Sequence, residues 1–417
     1  MSLTGAMNSA VSAMQAQSSA LSIISNNLAN VSTTGYKAST TSFASLLTSS
    51  STTSSSGGVK ATKSQNILDR GTLVSSSVST NIAIDGDGFF AVTSGDGTEI
   101  DYTRNGQFTV DDDTGYLTND GYSLLGWPTD SDGNVVGGTT DSNLEPVDTD
   151  KLTGYAVATS SVDLKGILPA DATTNYTSQI SLYDSLGTAY TVDVTWAKST
   201  TPANTWTMSF SNLENSSGTA VTGTITGSET ITFNSDGTLQ SPTTTTLKIS
   251  GLTDGADDIT ATLNLGTAGS SDGLRQGTTA SGTNSTAVDI SSDGNGCAYG
   301  TLTGITIDED GTVYGDYSND KSIAIYKIPL ATFSNANGLT EKGNSVYSTS
   351  STSSGATYHF ADSDGVGSIK SSELEESTTD TNTEFSSMIA AQQAYSSASQ
   401  VISTAKAMFE TLLQAVR

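Results

Sequence analysis

The sequence predicts a mainly β protein with α-helical termini, in which the first and last segments pair as a coiled-coil-like unit. Three observations lead there. Leu3, Met7, Ala10, Met14, Gln17, Leu21, Ile24, Leu28 and Val31 step alternately by four and three, and all but Gln17 are apolar. Met388, Ala391, Tyr395, Ala398, Ile402, Ala405, Phe409, Leu412 and Val416 step by three and four, and all are apolar. A 3.5-residue repeat held over about four heptads marks a helix–helix seam. Between the ends the period falls to two and Asp-Gly and Asn-Gly pairs recur, the pattern of strands joined by tight turns.

The first helix is expected from about Ser2 to Leu28, ended by the turn-forming run Asn30 to Gly35. Its polar face carries Ser, Gln and Asn, without the Glu/Lys pairs that support a free surface helix. Small neutral residues suit close approach to several neighbours, so the helix is read as an assembly element. Thr48 to Gly58 is a low-complexity Ser/Thr run, expected to act as an extended connector. Asn81 to Val92 is predicted as two strands around an Asp-Gly turn. Tyr102 to Leu117 repeats that theme with Asn105-Gly106 as its hairpin signal. A second β-rich block, roughly Lys151 to Asn295, offers strands at Gln179–Tyr183, Tyr190–Trp196, Thr230–Phe233, Thr245–Ile249 and Ile259–Leu265. Thr301 to Phe333 returns to the earlier style, and the Ser/Gly-rich Thr340 to Ser368 precedes the last helix. The order implies nesting. Residues 1–70 and 361–417 form a terminal helical domain with its linker. Residues 71–150 and 296–360 form a discontinuous β-domain, into which 151–295 is inserted as a further β-domain.

Composition narrows the function. With 417 residues the chain is too long for one core, and two or three domains are expected. The formal charge is −27, from 43 acidic and 16 basic residues. Nucleic acid and anionic membrane surfaces are thereby disfavoured, because phosphate contacts need Lys and Arg. No charged residue precedes Lys37, and after Met388 only Lys406, Glu410 and Arg417 are charged, so the acidity lies in the middle. No apolar run approaches a membrane span, and no signal-peptide pattern opens the chain.

Chemistry is sparsely provided. The lone Cys297 forbids an intrachain disulfide, and the lone His359 sits in SGATYHF, without a nucleophile motif. His359 is expected in a turn or in solvent. Asp362 to Glu373 imitates a calcium loop, but Val366 stands at the fifth position, where a side-chain oxygen is required. The remaining Asp-Gly pairs are read as hairpin turns. No enzyme activity, cofactor or metal is expected.

Specific motifs then appear. Ser25 to Lys37 (SNNLANVSTTGYK) resembles the N-terminal signature of the bacterial flagellar rod and hook family, carried by Asn26, Asn27, Leu28, Asn30, Thr34, Gly35 and Tyr36. Glu384 to Arg417 resembles that family's closing helix, and Asp85 to Phe90 (DGDGFF) its shared core motif. Leu182 to Trp196, Ile307 to Leu339 and the chain length resemble the hook branch. Two positions depart: Leu374 to Asp380 reads LEESTTD where LE-x-SNVD is usual, and Gln393 stands where Arg is common. The resemblance implies a homopolymer exported by the flagellar type III apparatus. It would form a curved extracellular tube coupling motor to filament, with rod, hook-cap and hook–filament junction proteins as partners. It also implies that the terminal helices form the inner tube and the β-domains stack outward. Leu3, Met7, Met14, Leu21, Ile24, Leu28, Met388, Tyr395, Ile402, Phe409, Leu412 and Val416 would then be the assembly residues. A distal rod subunit and an extracellular β-rich adhesin or fibre are the alternatives, with a secreted calcium-dependent enzyme a more distant one.

Overall fold

A computed structural model describes residues 3–45, 58–95, 99–152, 154–277, 290–363 and 365–415. Most of the Thr48–Gly58 connector, and Val416, lie outside the described residues. The chain divides into two compact units, one of Met1–Lys151, Gly304–Gly315 and Ser322–Arg417, the other of Leu152–Thr303 and Asp316–Lys321.

The first unit holds both helices, α1 (Leu3–Ala29) and α2 (Thr381–Ala415). α1 stops where Asn30 turns its side chain back, Nδ2 donating to the Asn26 carbonyl at 2.9 Å, and Thr33 Oγ1 donates to Asn30 Oδ1 at 3.1 Å. α2 starts earlier than its apolar stepping, because Asp380 caps it. Asp380 Oδ1 accepts from the backbone N–H of Asn382 (2.8 Å) and Thr383 (3.2 Å). That polar first turn has no apolar periodicity to reveal it.

A hairpin, Ser39–Ser45 against Val59–Gln65, packs on α1, where the Val59 N–H donates to Ser12 Oγ at 3.2 Å. Beyond it, one sheet path runs through Ser322–Lys327, Tyr122–Pro128, Phe89–Ser94, Ile100–Thr103, Val346–Ser348 and Thr340–Gly343. Its Phe89–Ser94 strand is buried on both faces. Phe89 enters a cluster with Ile67, Tyr102 and Tyr347, and Phe90 a cluster with Ile84, Phe108 and Leu124. Adjacent side chains of a strand point to opposite faces, so a Phe-Phe pair supplies two cores at once.

Two expected hairpins are corrected. Ile82–Asp85 and Phe89–Ser94 are both strands, but the first pairs with Ser368–Ser371 and the second with Ile100–Thr103 and Tyr122–Pro128. Asp85-Gly86 therefore crosses between sheets. Asn105-Gly106 closes no hairpin either. Gly106 lies where an added Cβ would sit 1.6 Å from the Ile82 carbonyl oxygen, so glycine is there for backbone contact. Asp120-Gly121 does form the expected two-residue turn, joining Leu117–Asn119 to Tyr122–Pro128 with Asn119 opposite Tyr122. His359 is placed differently from expectation: it is half-buried on strand Thr357–His359, opposite Leu330. Asp362 to Glu373 is no calcium loop and helix, since Ser368–Ser371 and Glu373–Glu375 are strands. The Ser/Gly-rich segment before α2 also contributes strands Thr340–Gly343 and Val346–Ser348, which the sequence pattern did not single out.

Among the described residues the second unit has two large sheets and a small one of Tyr155–Val157 with Cys297–Gly300. One is antiparallel, in the order Tyr176–Tyr183, Ala189–Lys198, Thr205–Asn215, Ser228–Phe233 and Leu239–Ser241. The other runs Thr224–Thr226, Thr244–Ser250, Ile259–Asn264, Ser161–Pro169 and Leu274–Gly277, with Ile290–Gly294 also on Ser161–Pro169. Tyr190, Val192, Val194 and Trp196 alternate into the same core as Val162, Leu164, Leu247 and Leu263. Alternation of this kind buries one face per strand and fixes register. The expected Asp236-Gly237 turn joins Ser228–Phe233 to Leu239–Ser241, and Cys297 is buried on Cys297–Gly300.

Candidate assembly surface

α1 and α2 run antiparallel. Asn27 at the end of α1 bonds Glu384 in the first turn of α2, whereas Ala6 shares a hollow with Val401, Ala405 and Met408. The close contact is made of alanine. Ala391, Ala398 and Ala405, seven residues apart, are buried in α2, as are Ala10, Ala16, Ala20 and Ile24 in α1. Small side chains let the two axes approach closely.

The large residues of the predicted seam stand beside this contact. Met7, Met14, Leu21 and Leu28 of α1, and Met388 and Ile402 of α2, are half-buried. Tyr395 and Phe409 remain 41% exposed and Leu412 58%. Within one chain, the apolar residues enclosed among the described residues of the two helices are these alanines and Ile24; the larger α2 residues keep an unpartnered apolar flank. Leu3 opens α1.

The signature after α1 fixes where the pair emerges. Asn27 is buried and satisfies four bonds: its Nδ2 donates to the Ser39 carbonyl (2.7 Å) and Glu384 Oε1 (2.8 Å). Its Oδ1 accepts from the Ser39 N–H (2.9 Å) and the Tyr36 hydroxyl (3.1 Å). One amide thus ties α1, the following turn and α2. Asn26 stays exposed and Thr34 half-buried. Gly35 has φ +66°, and a Cβ there would lie 2.7 Å from the Asn105 nitrogen. Its N–H donates to the Glu375 carbonyl at 2.8 Å.

Below it lies a cluster that motif reading missed. The Lys37 ammonium is 2.6 Å from Glu375 Oε1, the Arg104 guanidinium is 3.5 Å from Glu375 Oε2, and all three side chains are shut off from solvent. Gly71 N–H donates to Glu375 Oε1 at 2.7 Å, Arg104 to the Gly86 carbonyl at 2.9 Å, and Lys37 to the Asp69 carbonyl. Arg104 also lies 5.2 Å over the Phe89 ring. Burial pulls Lys37 and Arg104 below their usual values, and Glu375 only partly offsets it. The cluster joins the segment leaving α1, the sheet, and the strand entering α2. The available signal was Lys37 itself, the first charge after a long uncharged stretch; its partners are too distant in sequence to infer.

Among the described residues no group of three or more His, Cys, Asp or Glu could hold a metal ion, and no helix is long and apolar enough to cross a membrane. The arrangement is one of packing surfaces and buried ties.

Comparison with known proteins accords with this geometry. Family models match in four stretches: the flagella basal body rod protein at 7–37, the flagellar hook protein FlgE/F/G D1 domain at 83–166, the flagellar basal body protein FlaE D2 domain at 131–295, and the flagellar basal body rod FlgEFG protein C-terminal at 370–415. The flagellar hook protein FlgE of Brucella suis is 32% identical over the full length of both chains, and that of Rhizobium meliloti 33%, also over the full length of both. That of Salmonella typhimurium is 29% identical over 85% of this chain and 87% of its own. The crystal structure of Helicobacter pylori flagellar hook protein FlgE2 shares the fold with a TM-score of 0.51 at 14% identity, covering 72% of this chain and all of that one. This chain therefore belongs to the flagellar hook protein family, structural subunits of the hook of the bacterial flagellum.

Proposed function

We propose that the chain polymerises with copies of itself into a curved, hollow, extracellular tube that couples the rod to the filament and passes torque. The observation that carries this is the apolar, uncharged flank of α2 beside its alanine seam. A chain of charge −27 places no charge in α1 and only Glu384, Lys406 and Glu410 in α2, and there it keeps large side chains in water. Burying them against sister molecules is favourable by up to about 1.5–3 kcal/mol for each large side chain fully enclosed. The predicted assembly residues from Leu3 to Leu28 and from Met388 to Val416 would line this inner contact. The β-domains, divided at 71–150 with 296–360 and at 151–295, would stack outward from it. Their Ser/Thr-rich surfaces make wet, individually weak contacts, which lets neighbours slide as the tube bends. Rod, cap and junction proteins would meet the tube at its ends, and the type III apparatus would export the chain. No catalytic step enters this reading.

Electron microscopy of the purified, polymerised protein tests it. Hollow curved tubes are expected. Straight rigid rods would instead support the distal rod, and a protein that stays monomeric under all polymerising conditions would overturn the reading.

A further inference from the structure

The two flanks of the alanine seam differ in shape. At about 100° per residue, positions four after or three before each buried alanine lie roughly 40–60° to one side, and positions three after or one before lie roughly 60–100° to the other. The first set is Met388, Tyr395, Ile402 and Phe409. The second is Ala390, Ala394, Ser397, Val401, Thr404 and Met408. One flank is a row of large knobs; the other is small from Ala390 to Ser397 and beyond that sets Val401 and Met408 on either side of the small Thr404.

The small flank is hollow where α1 stands beside it. One hollow of about 500 Å³ lies between α1, the Ser39–Ser45 strand and α2, with Ala20, Phe43, Ala390 and Ala394 in its lining. A second, of about 430 Å³, continues the line past Ser397 and Thr404 and is walled by Val401 and Met408. Glu384, held by Asn27, closes one end of the first hollow; from Phe385 to Ala405 no α2 residue is charged, and no α1 residue is.

We infer that the knob flank of one copy seats in the hollow flank of the next, a head-to-tail contact made by the two sides of one helix pair. This deepens the homopolymer reading and rests on it. The occupant is a second copy because the terminal helices are the chain's least charged surface, with Glu384, Lys406 and Glu410 as the charges of α2 and none in α1, whereas its acidic domains repel one another. A knob-to-knob contact would be self-complementary and leave every hollow empty. A knob-to-hollow contact uses two different surfaces, so it propagates as a ring or an open helix. The tube follows from this difference between flanks.

Site-directed crosslinking in the polymer tests it, with Cys297→Ala removing the native thiol. A chain carrying Tyr395→Cys is co-polymerised in turn with chains carrying Ala390→Cys, Ala394→Cys, Ser397→Cys or Thr404→Cys, then oxidised. Mixed disulfide dimers at one or two adjacent hollow positions are expected, with none from Tyr395→Cys chains alone. Tyr395→Cys chains that link to each other, or the absence of mixed dimers at all four positions, would overturn the pairing while leaving the polymer reading intact. Absence of polymer from the unsubstituted chain would overturn that reading and this one together. As a second variant, Ala390→Leu with Ala394→Leu fills the hollow. It should raise the critical concentration for polymerisation at least tenfold with unchanged circular dichroism and melting of the monomer. Polymerisation at the unsubstituted concentration would contradict the inference.

Discussion

Removing Glu375 should unfold the first unit far more readily than its lone position suggests. Its carboxylate holds Lys37 at 2.6 Å and the Gly71 N–H at 2.7 Å, and faces Arg104 at 3.5 Å. Glu375→Ala leaves two enclosed cations without a counter-charge. Loss of two hydrogen bonds to a charged group, at about 1.5–3 kcal/mol each, gives about 3–6 kcal/mol. That agrees with the roughly 3–5 kcal/mol seen when one partner of a buried pair is deleted. Lys37→Met removes one of those bonds and leaves Glu375 facing Arg104, so its cost should be about half as large. Native-state hydrogen exchange at the amides of Phe89–Val92, in the doubly enclosed strand, reads the opening of this unit. Exchange there should speed up by roughly two to four orders of magnitude in Glu375→Ala, at about 1.4 kcal/mol per tenfold. A change smaller than about 1 kcal/mol would refute the reasoning, as would a larger effect from Lys37→Met. The pH dependence follows from the sign of the Lys37 shift. Burial holds its folded value below the ordinary 10.5, so in alkaline solution the unfolded chain binds more protons and stability rises with pH. Glu375→Gln, which leaves Lys37 without its counter-charge, should therefore show a defect that shrinks as pH climbs toward 10.5.

Three further outcomes are expected. Gly35→Ala forces a side chain onto a φ of +66° and against the Asn105 nitrogen, and should destabilise the first unit by at least about 1–2 kcal/mol in thermal unfolding. Asp380→Ala removes the cap of α2 and should cost about 1 kcal/mol, read as faster exchange at the Asn382 and Thr383 amides with the β-strands unaffected. Hydrogen bonds from neighbouring turn residues hold Asp111, Asp130, Asp236 and Asp272 below the usual carboxylate value of 3.8. For depressed carboxylates the contribution is present above 3.8 and is lost as pH falls through the folded values. Replacing all four by Asn should flatten stability against pH below about 4 in acid titrations, and an unchanged slope would remove them as the cause.

Local order was legible and long-range pairing was not. The helical ends announced themselves because a heptad repeat is a property of one segment, and the strands of the second unit because alternation is too. The turn at Asp120-Gly121 followed from its own two residues. Asn105-Gly106 misled because its glycine serves contact with Ile82, remote in sequence, rather than a hairpin. Asp85-Gly86 misled likewise: the strands on either side find partners elsewhere in the chain. The start of α2 was hidden by a polar first turn that only the cap at Asp380 explains. At the candidate assembly surface, periodicity drew the seam but could not say which half of the repeat would be enclosed within one chain. Side-chain size decides that: alanine admits the partner helix, and Tyr395 and Phe409 are held outside. The Lys37–Arg104–Glu375 cluster was illegible because its members come together only once the sheet and both termini have formed.

Hydrogen exchange along α2, measured on the dilute free chain and again on the polymer, most directly examines whether the ends are completed by sister molecules. Amides from Met388 to Leu413 should exchange rapidly in the free chain and slow by at least about a hundredfold on polymerisation, as expected for a helix whose protection comes from tertiary burial. Equal, strong protection in both states would mean that each chain stabilises its own helices and that neighbouring copies complete nothing.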